Sequence, residues 1–393
     1  MASGSTSMHS VEELEPLLAA SKINLPNLLP EVQCILFADD YASEDTMLME
    51  VTEEMISQLE NGATLSVRGT TEDSAVLCTE SATFEVKLRE VSNALLVSPD
   101  VKTAACLDSA APRTVTEKHI QYTHGGFLEL RPLVPRCARA KHLLEEAPFT
   151  GLEFEFETEI GKKFTLEELL ETVQSSRQEL RQYLATTINT CEIDGKIRLL
   201  PHSYVHKLTE RVLGWAAANS LPWESIPDYE ASSALLELEP ESVMRDFFWP
   251  KFSEKIGDTL RLLPDAIART YAAVYLSAGD KTRCDQFQDW WRKTVPSVLS
   301  VDFREELLYG LAYKTEKETP AAYIYLAVED LPTEPDKRFR RLFQERKKWP
   351  RDELVAYLSG TLTGSDTVEK LLTKFTKTIT MDGNAFLISL SLI

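Results

Sequence analysis

The sequence lacks the short motifs that mark most nucleotide-binding and hydrolytic enzymes. Its 393 residues contain no GxxxxGKS/T phosphate loop, no GxSxG nucleophile turn and no GxGxxG turn. A phosphate loop holds nucleotide phosphates with backbone amides and a lysine, so its absence indicates that the chain does not hydrolyse ATP by itself. We expect a protein that is not an enzyme and that uses no cofactor.

Cysteine pairs and metal-ligand clusters are also missing. The six cysteines stand apart with no CxxC motif, so free thiols in a reducing compartment are the simplest interpretation. His202 and His206 lie four residues apart on an expected helix, but the intervening Ser-Tyr-Val lacks the glutamate of a zinc hydrolase. We therefore favour an ordinary helix surface over a metal site.

Positive charge is scarce. Lys and Arg number 42 against 62 Asp and Glu, which gives a net charge of -20. Such a chain does not coat nucleic acid by bulk attraction, so any contact with phosphate must be local. No window approaches 18 apolar residues and the first residues contain no signal-peptide pattern, so we expect a soluble, intracellular protein without membrane contact.

Two stretches of the chain nearly repeat each other. Residues 191–201 (CEIDGKIRLLP) and 254–264 (EKIGDTLRLLP) lie 63 residues apart, and each has a Gly and an Asp between apolar residues. Glycine takes positive φ without steric cost, so both stretches predict tight hairpins. Each hairpin follows a helical pattern, and helices followed by a hairpin are typical of a winged helix-turn-helix.

The part before residue 135 has the pattern of strands. Phe84, Val86 and Leu88 alternate with charged residues, which predicts a strand with one buried face. Further short strands and one helix over 52–60 predict a small antiparallel domain over 10–134, either barrel-like or a sandwich, of which we favour the barrel-like form. Residues 1–9 are expected to form a flexible tail and residues 100–118 a loop.

After residue 135 the apolar period becomes helical, which makes the fold class α+β. We divide this part into three to four tandem winged-helix units over 135–201, 202–264, 265–331 and 332–393, of which the third has the loosest pattern. The helices are expected at 138–146, 166–173, 177–188, 204–218, 231–236, 241–249, 265–276, 284–293, 302–309, 337–349, 351–358 and 367–375.

Basic residues concentrate near the C-terminus, where a helix with an apolar side could present them to a phosphate backbone. A solvated basic face that balances an acidic neighbour is the alternative. The candidate DNA-binding residues are Arg338, Arg340, Arg341, Arg346, Lys347, Lys348, Lys370, Lys374 and Lys377.

A second basic group lies in the first helix–hairpin unit. Arg177 and Arg181 share a helix face, while Lys196 and Arg198 lie on the hairpin. Acidic residues are interspersed among them, so we expect this group to bind a protein partner rather than DNA. The nearby run of alternating glutamates Glu153, Glu155, Glu157 and Glu159 is expected to be a solvated edge or loop.

Several stretches of the sequence resemble a known family. They are residues 64–69 (TLSVRG), 75–78 (AVLC), 91–96 (VSNALL), 342–349 (LFQERKKW) and 371–374 (LLTK). These stretches resemble the Dcc subunit family of the sister-chromatid-cohesion clamp loader, in both the N-terminal and the C-terminal parts of the chain.

The resemblance implies a nuclear subunit of an alternative replication factor C. Its implied partners are the large chromosome-transmission-fidelity subunit and a small companion subunit, with which the N-terminal strands would build a composite barrel. The winged helices would contact single- and double-stranded DNA and the catalytic subunit of DNA polymerase epsilon, and the complex would load or unload the clamp PCNA. The family usually has three winged helices, whereas the sequence pattern here predicts up to four.

Two alternatives of other classes remain, and the more distant of them is an enzyme with an unrecognised pocket. Tandem winged helices also occur in transcription and chromatin regulators, which read base sequence in duplex DNA. A regulator is expected to bind duplex DNA alone with base preference, whereas a clamp-loader subunit is expected to bind weakly and without it.

Overall fold

A computed structural model describes most of the chain. The described residues are 16, 19–22, 31–39, 41, 46–71, 73–99, 101–103, 114–155, 161–228, 235, 238–279, 281–315, 319–358, 367–381 and 383–390. The chain forms two compact units: unit 1 comprises Met1–Gly62 and Val86–Arg131, and unit 2 comprises Ala63–Glu85 and Pro132–Ile393. None of the described helices combines the length and the apolar content needed to cross a bilayer.

The first six strands and one helix lie in the N-terminal third of the chain. The helix is α1, Glu53–Glu60, and the hydroxyl of Thr52 caps it by accepting the Met55 N–H at 3.3 Å. The strands are β1 Glu31–Phe37, β2 Ser66–Arg68, β3 Val76–Cys78, β4 Thr83–Val97, β5 Thr114–Ile120 and β6 Tyr122–Pro132.

Strand pairing in this region differs from the expected antiparallel barrel. β1 and β5 form a two-stranded parallel sheet, in which Val32 faces Val115. The described strands form small sheets of two to four strands and no closed barrel. The loop expected over 100–118 is also corrected, because residues 114–118 belong to β5 and pair with a strand some 80 residues earlier; such a non-local pairing leaves no trace in local composition.

The alternating pattern in β4 forms a strand as predicted, but its apolar face is only partly covered. Phe84 and Val86 are half-buried, whereas Leu88 is 63% exposed. The strand also continues without a break through residues 94–97.

Unit 2 repeats one order of elements four times. In each repeat, one or more helices follow a short strand, and an antiparallel hairpin then follows the helices. The short strand pairs with the second strand of the hairpin; in the first repeat this strand is a single bridge between Phe164 and Ile197.

The helices and strands of these repeats agree closely with those expected. The helices are α2 Ala138–Leu144, α3 Leu166–Thr172, α4 Arg177–Thr186, α5 His202–Ala218, α6 Trp249–Phe252, α7 Pro264–Ser277, α8 Cys284–Thr294, α9 Pro335–Glu345, α10 Arg351–Ala356 and α11 Val368–Phe375. The strands are β7 Thr190–Ile193, β8 Lys196–Leu199, β9 Ile226–Pro227, β10 Ser253–Ile256, β11 Thr259–Leu262, β12 Lys281–Arg283, β13 Ala312–Lys314, β14 Ala322–Tyr325, β15 Lys348–Pro350, β16 Thr376–Met381 and β17 Asn384–Ser389.

Three expected helices need comment. A π-helical turn, Val243–Phe248, leads directly into α6, and only a short 3-10 helix, Glu305–Leu308, forms in the segment 302–309. The helix expected over 231–236 lies outside the described residues except for Leu235.

The turns of the hairpins have the predicted chemistry. Asp194 and Gly195 have φ values of 51° and 74°, and Gly257 and Gly383 have φ values of 62° and 80°. Two consecutive residues with positive φ define the type I′ turn, whose twist matches that of the paired strands. Among the described residues only the first hairpin shows such a pair, while the second and the last have a glycine with positive φ in the turn. Local sequence therefore favours these three turns.

Three apolar cores stabilise unit 2. The first repeat has its own core around Leu169, Leu170 and Leu180, and the last has its own around Leu342 and Trp349. A third core, which includes Val243, runs through both the second and the third repeats. These two middle repeats therefore bury their apolar residues together.

Candidate nucleic-acid and partner interfaces

Part of the C-terminal basic group lies on an amphipathic helix, α9, as the sequence predicts. Phe339, Leu342 and Phe343 of α9 are buried in the last core, and the ring of Phe339 stacks on Phe375 of α11 with centroids 4.7 Å apart. The apolar side of α9 is fixed against α11 in this way. Both helices that carry basic side chains therefore belong to the last repeat and share its core.

Most of the candidate DNA-binding residues are exposed. Arg341 pairs with Glu345 at 2.7 Å, and Lys348 lies over the Phe386 ring at 5.0 Å. Lys374 lies over the Phe375 ring at 5.2 Å. Exposed cations such as Arg340 and Lys347 are accessible to a phosphate group. We call the following set the C-terminal basic surface: Arg340, Arg341, Lys347, Lys348, Lys370, Lys374 and Lys377.

Arg338 does not lie on this surface. Its side chain is 0% exposed and donates hydrogen bonds to the backbone carbonyls of Pro332 at 2.6 Å and Tyr357 at 2.8 Å. Burial lowers the pKa of this guanidinium to about 10. Arg338 thus ties the start of α9 to its neighbours and is not available to DNA.

Arg346 is also enclosed, because α9 ends before it. The helix expected to extend through Trp349 stops at Glu345, since Lys348–Pro350 forms strand β15 and pairs with β17. Arg346 donates to Glu353 at 2.7 Å, and both side chains are about nine-tenths buried. This arginine therefore has a structural role.

The basic group of the first repeat is mostly paired within the protein. Arg177 donates to Glu167 at 2.7 Å, and Lys196 donates to Glu168 at 3.1 Å. The hydrogen bond from the backbone N–H of Thr165, with a further contribution from Lys196, lowers the pKa of Glu168 to about 2. Arg181 is exposed, and it is the member of this group best placed to meet a partner.

Arg198 is buried, contrary to the expectation of an exposed hairpin cation. Its side chain is 2% exposed; it donates to both carboxylate oxygens of Glu155 at 2.7 Å and to the carbonyl of Ala147 at 3.0 Å. Lys163 also donates to Glu155, at 2.5 Å. Hydrogen bonding from Arg198, followed by that from Lys163, holds the pKa of Glu155 below its ordinary value.

The same contacts correct the interpretation of the acidic run. Glu155 is 19% exposed and anchors Arg198, which departs from the expected solvated position. Glu153 is 45% exposed, as expected, and accepts a hydrogen bond from Lys207 at 2.5 Å. Glu157 and Glu159 lie outside the described residues. A periodic run of charges does not reveal such partners, because they come from distant positions.

The two spaced histidines occupy separate environments. His202 Nε2 lies 3.5 Å from Glu329, whereas the ring of His206 packs on Tyr271 with centroids 4.3 Å apart. Among the described residues, no group of three or more His, Cys, Asp or Glu side chains is arranged to hold a metal ion.

Unit 1 leaves large apolar side chains uncovered. In β1, Ile35, Leu36 and Phe37 are 55%, 42% and 62% exposed, and Leu88 and Leu96 of β4 are 63% and 55% exposed. Parallel sheets normally have both faces covered, and an isolated two-stranded sheet is marginally stable in water. The consecutive apolar residues 34–37 were visible in the sequence, but their exposure was not.

A basic surface on a repeated helix–hairpin unit and an uncovered apolar face on a strand-rich unit are typical of a protein that acts by binding other macromolecules. Comparison with known proteins identifies the family. The family model of the sister chromatid cohesion protein Dcc1 matches residues 46–358. The chain therefore belongs to the Dcc1 family of sister chromatid cohesion proteins.

Relatives match along nearly the whole chain. The chain is 31% identical to sister chromatid cohesion protein DCC1 of Danio rerio over 382 residues, which covers 96% of this chain and 97% of the relative. It is 31% identical to the protein of that name from Xenopus tropicalis over 380 residues (95% and 96%). The human protein of that name is 29% identical over 380 residues (95% and 96%).

Proposed function

We propose that this chain is a non-catalytic subunit of an alternative replication factor C clamp loader and that it acts in the nucleus. Membership of a cohesion-protein family supports a role in sister chromatid cohesion. The sequence contains no phosphate loop, so in this proposal other subunits hydrolyse ATP. The chain contributes contacts that hold the loader where the sliding clamp PCNA is loaded or unloaded.

Unit 1 is the proposed attachment point for the other subunits. The observation that carries this proposal is the β1–β5 pair, whose apolar residues Ile35, Leu36 and Phe37 are uncovered together with Leu88 of β4. Strands from the large chromosome-transmission-fidelity subunit and its small companion would cover these side chains and extend the sheets. Added strands supply backbone hydrogen bonds, and the apolar side chains supply buried area.

The four repeats of unit 2 are proposed to be winged-helix units. The support is their shared topology, in which a short strand before the later helices always pairs with the second strand of the hairpin. The third repeat keeps this pairing between β12 and β14 although its sequence pattern is the loosest. We therefore count four units.

The C-terminal basic surface is the proposed DNA contact. Its seven members are half-exposed or exposed, whereas Arg338 and Arg346 are excluded by burial. Because the chain has a net charge of -20, such a contact is local and salt-sensitive. Arg181 of the first repeat is the proposed contact for a protein partner, for which the polymerase epsilon catalytic subunit is the candidate.

Reconstitution with the two partner subunits tests the attachment proposal. Replacing Leu88 by Lys, together with Phe37→Glu, puts a charge at two exposed apolar positions of unit 1 and is expected to prevent co-purification. Val298 in unit 2 is 60% exposed, so Val298→Lys is a matched control that should leave the complex intact. If the variant with both substitutions co-purifies with the two partner subunits in the same amount as wild type, unit 1 is rejected as the attachment point.

DNA binding by the whole complex tests the basic surface. Replacing Arg340, Lys347 and Lys374 by Gln removes three candidate phosphate contacts. Each phosphate contact contributes about 0.9 to the magnitude of the slope of log affinity against log salt concentration, so this magnitude should fall by about 2.7. The control, Arg292→Gln with Lys293→Gln, removes two exposed cations of α8 and should change the slope little. An unchanged slope in the triple variant would reject the surface, and strong base preference would favour the transcription or chromatin regulator.

A further inference from the structure

A cavity in unit 2 has the chemistry of an anion site. It has a volume of about 230 Å³ and is lined by residues of the first three repeats. Helix α7 presents one face to it with Ala266, Arg269, Thr270 and Ala273, at the spacing of successive helical turns. The two alanines leave space, and the arginine brings charge.

Two cations line this cavity and have only neutral acceptors among the described residues. The Lys251 ammonium donates to Oδ1 of Asn189 at 2.8 Å, and the Arg269 guanidinium donates to the carbonyl of Leu307 at 2.6 Å. An ammonium has three donors and a guanidinium five, so these bonds leave donor capacity unused. Burial lowers the pKa of both groups, which reflects positive charge held away from water.

The acidic residue of the cavity is already engaged. Glu329 lines it, but its carboxylate lies 3.3 Å from the Lys141 ammonium and 3.5 Å from His202 Nε2. Burial is the largest single effect on the pKa of Glu329 and raises it. The hydrogen bonds and charges of His202 and Lys141 together outweigh burial, so the pKa lies below its ordinary value. Glu329 is therefore ionised, and it shares Lys141 with Asp330. Lys251 and Arg269 nevertheless outnumber this single carboxylate among the charged residues that line the cavity.

An orphan hydroxyl supplies an independent observation. Thr187, at the end of α4, lines the same cavity and is 6% exposed, and within the described part of the chain its Oγ1 has no hydrogen-bond partner. A buried hydroxyl without a partner is costly, and native proteins usually satisfy it with a protein group, water or a ligand. Thr187 can donate to an oxygen placed in the cavity.

We propose that this cavity binds a small phosphate-class oxyanion, with Thr187, Lys251 and Arg269 as its hydrogen-bond donors. The volume is below the roughly 300 Å³ at which pockets for drug-sized molecules begin, so it suits a phosphate group and little more. The donors come from three successive repeats. A bound anion would therefore link these repeats, and this role is separate from the C-terminal basic surface.

Calorimetric titration of the full chain with inorganic phosphate, with chloride used to keep the ionic strength constant, tests the proposal. Wild-type protein should bind one phosphate, and Lys251→Met should weaken binding about tenfold or more, because a charge-assisted bond is lost. Thr187→Val removes only the hydroxyl and should also weaken binding. Lys293 is exposed on α8, so Lys293→Met is the control and should bind like wild type.

Thermal unfolding in chloride separates binding from folding. Lys251→Met removes a buried charge and should be at least as stable as wild type without phosphate, and phosphate should raise the midpoint of wild type only. If Lys251→Met does not fold, the phosphate titration of Thr187→Val tests the proposal by itself. No phosphate binding by wild type, or equal binding by wild type and the variants, would overturn the proposal.

A second titration identifies the source of the anion. Adenosine 5′-monophosphate carries the same phosphate on a bulky nucleoside. Binding at least as tight as that of inorganic phosphate would assign a nucleotide phosphate, whereas binding of inorganic phosphate alone would assign the free ion. Either result requires that Lys251→Met weakens the interaction.

Discussion

Arg198 and Arg338 are buried inside the protein, where acceptors of the same chain satisfy their guanidinium groups. Arg198 meets a carboxylate and two carbonyls, and Arg338 donates to several backbone carbonyls at the start of α9. Guanidinium has five donors in a fixed plane, so it can satisfy carbonyls that loops and helix ends leave free. Both residues bind their own chain, although their sequence neighbours suggested external partners.

The pair formed by Arg198 and Glu155 leads to a stability prediction. Glu155→Gln leaves the Arg198 guanidinium, which is 2% exposed, without its carboxylate partner. The free energy of unfolding should fall by about 3 kcal/mol. This value is near the low end for a broken buried ion pair because the Glu155 side chain is 19% exposed. Urea unfolding measures this change. Glu192→Gln, at an exposed position of β7, is the control, and equal loss in both variants would contradict the assigned role.

The same pair predicts a pH dependence. The folded-state pKa of Glu155 lies below its ordinary value of 4.5, so its stabilising contribution is complete above pH 4.5 and is lost as the pH falls through the folded-state pKa. The difference in unfolding free energy between wild type and Glu155→Gln should therefore shrink in acid. Urea unfolding at neutral pH and below pH 4.5 measures it, and a constant difference would exclude linkage to this carboxyl group.

At the scale of elements, local chemistry explains most of the agreement between sequence and structure. Thr165 and Glu168 form a capping box at the start of a helix that the apolar period predicted, and positive-φ residues lie in the two hairpins where glycine and aspartate predicted turns. Disagreements occur where pairing is non-local. Strand β15 replaces the end of the basic helix because β17, some 40 residues later, pairs with it.

Two glycines make this local control testable, because the same substitution should have opposite effects. Gly195 has a φ of 74° in the first hairpin, so Gly195→Ala should destabilise the protein by about 1–2 kcal/mol through backbone strain alone. Gly214 is exposed inside α5 with open space around it, so Gly214→Ala should stabilise the protein by about 1 kcal/mol. The unfolding midpoints of the two variants, each compared with wild type, measure these changes in stability. Changes of the same sign would refute the turn assignment.

At the scale of the whole molecule, the two units differ in how completely they bury their apolar residues. Unit 2 contains three apolar cores, whereas unit 1 exposes Ile35, Phe37, Leu88 and Leu96. Exposed apolar patches and free strand edges promote association in solution. In the proposed complex, partner strands would cover these side chains.

The isolated chain is accordingly expected to self-associate through unit 1. Phe37→Lys with Leu88→Lys should reduce the concentration-dependent rise in light scattering and leave the unfolding transition nearly unchanged, because neither side chain is buried. Val298→Lys alters an exposed residue of unit 2 and should leave scattering as in wild type. A monomeric wild-type chain at high concentration would contradict the expectation.

The candidate sites were predictable only in part. Clustering of basic residues located the C-terminal surface, yet nothing in the sequence separated exposed Arg340 from buried Arg338, two residues away. The cavity residues Thr187, Lys251 and Arg269 come from different repeats and form no motif. Proximity of that kind depends on packing between repeats.

The sequence by itself determined the helices, the hairpins and their repetition, because capping, turn chemistry and apolar period act over a few neighbouring residues. Only the tertiary structure decided which charges are internal, which apolar side chains of the strands stay uncovered and where two cations with neutral acceptors share a cavity with the buried Thr187 hydroxyl in the described part of the chain. These properties depend on residues far apart in the chain, and burial and charge pairing are set when distant segments pack together.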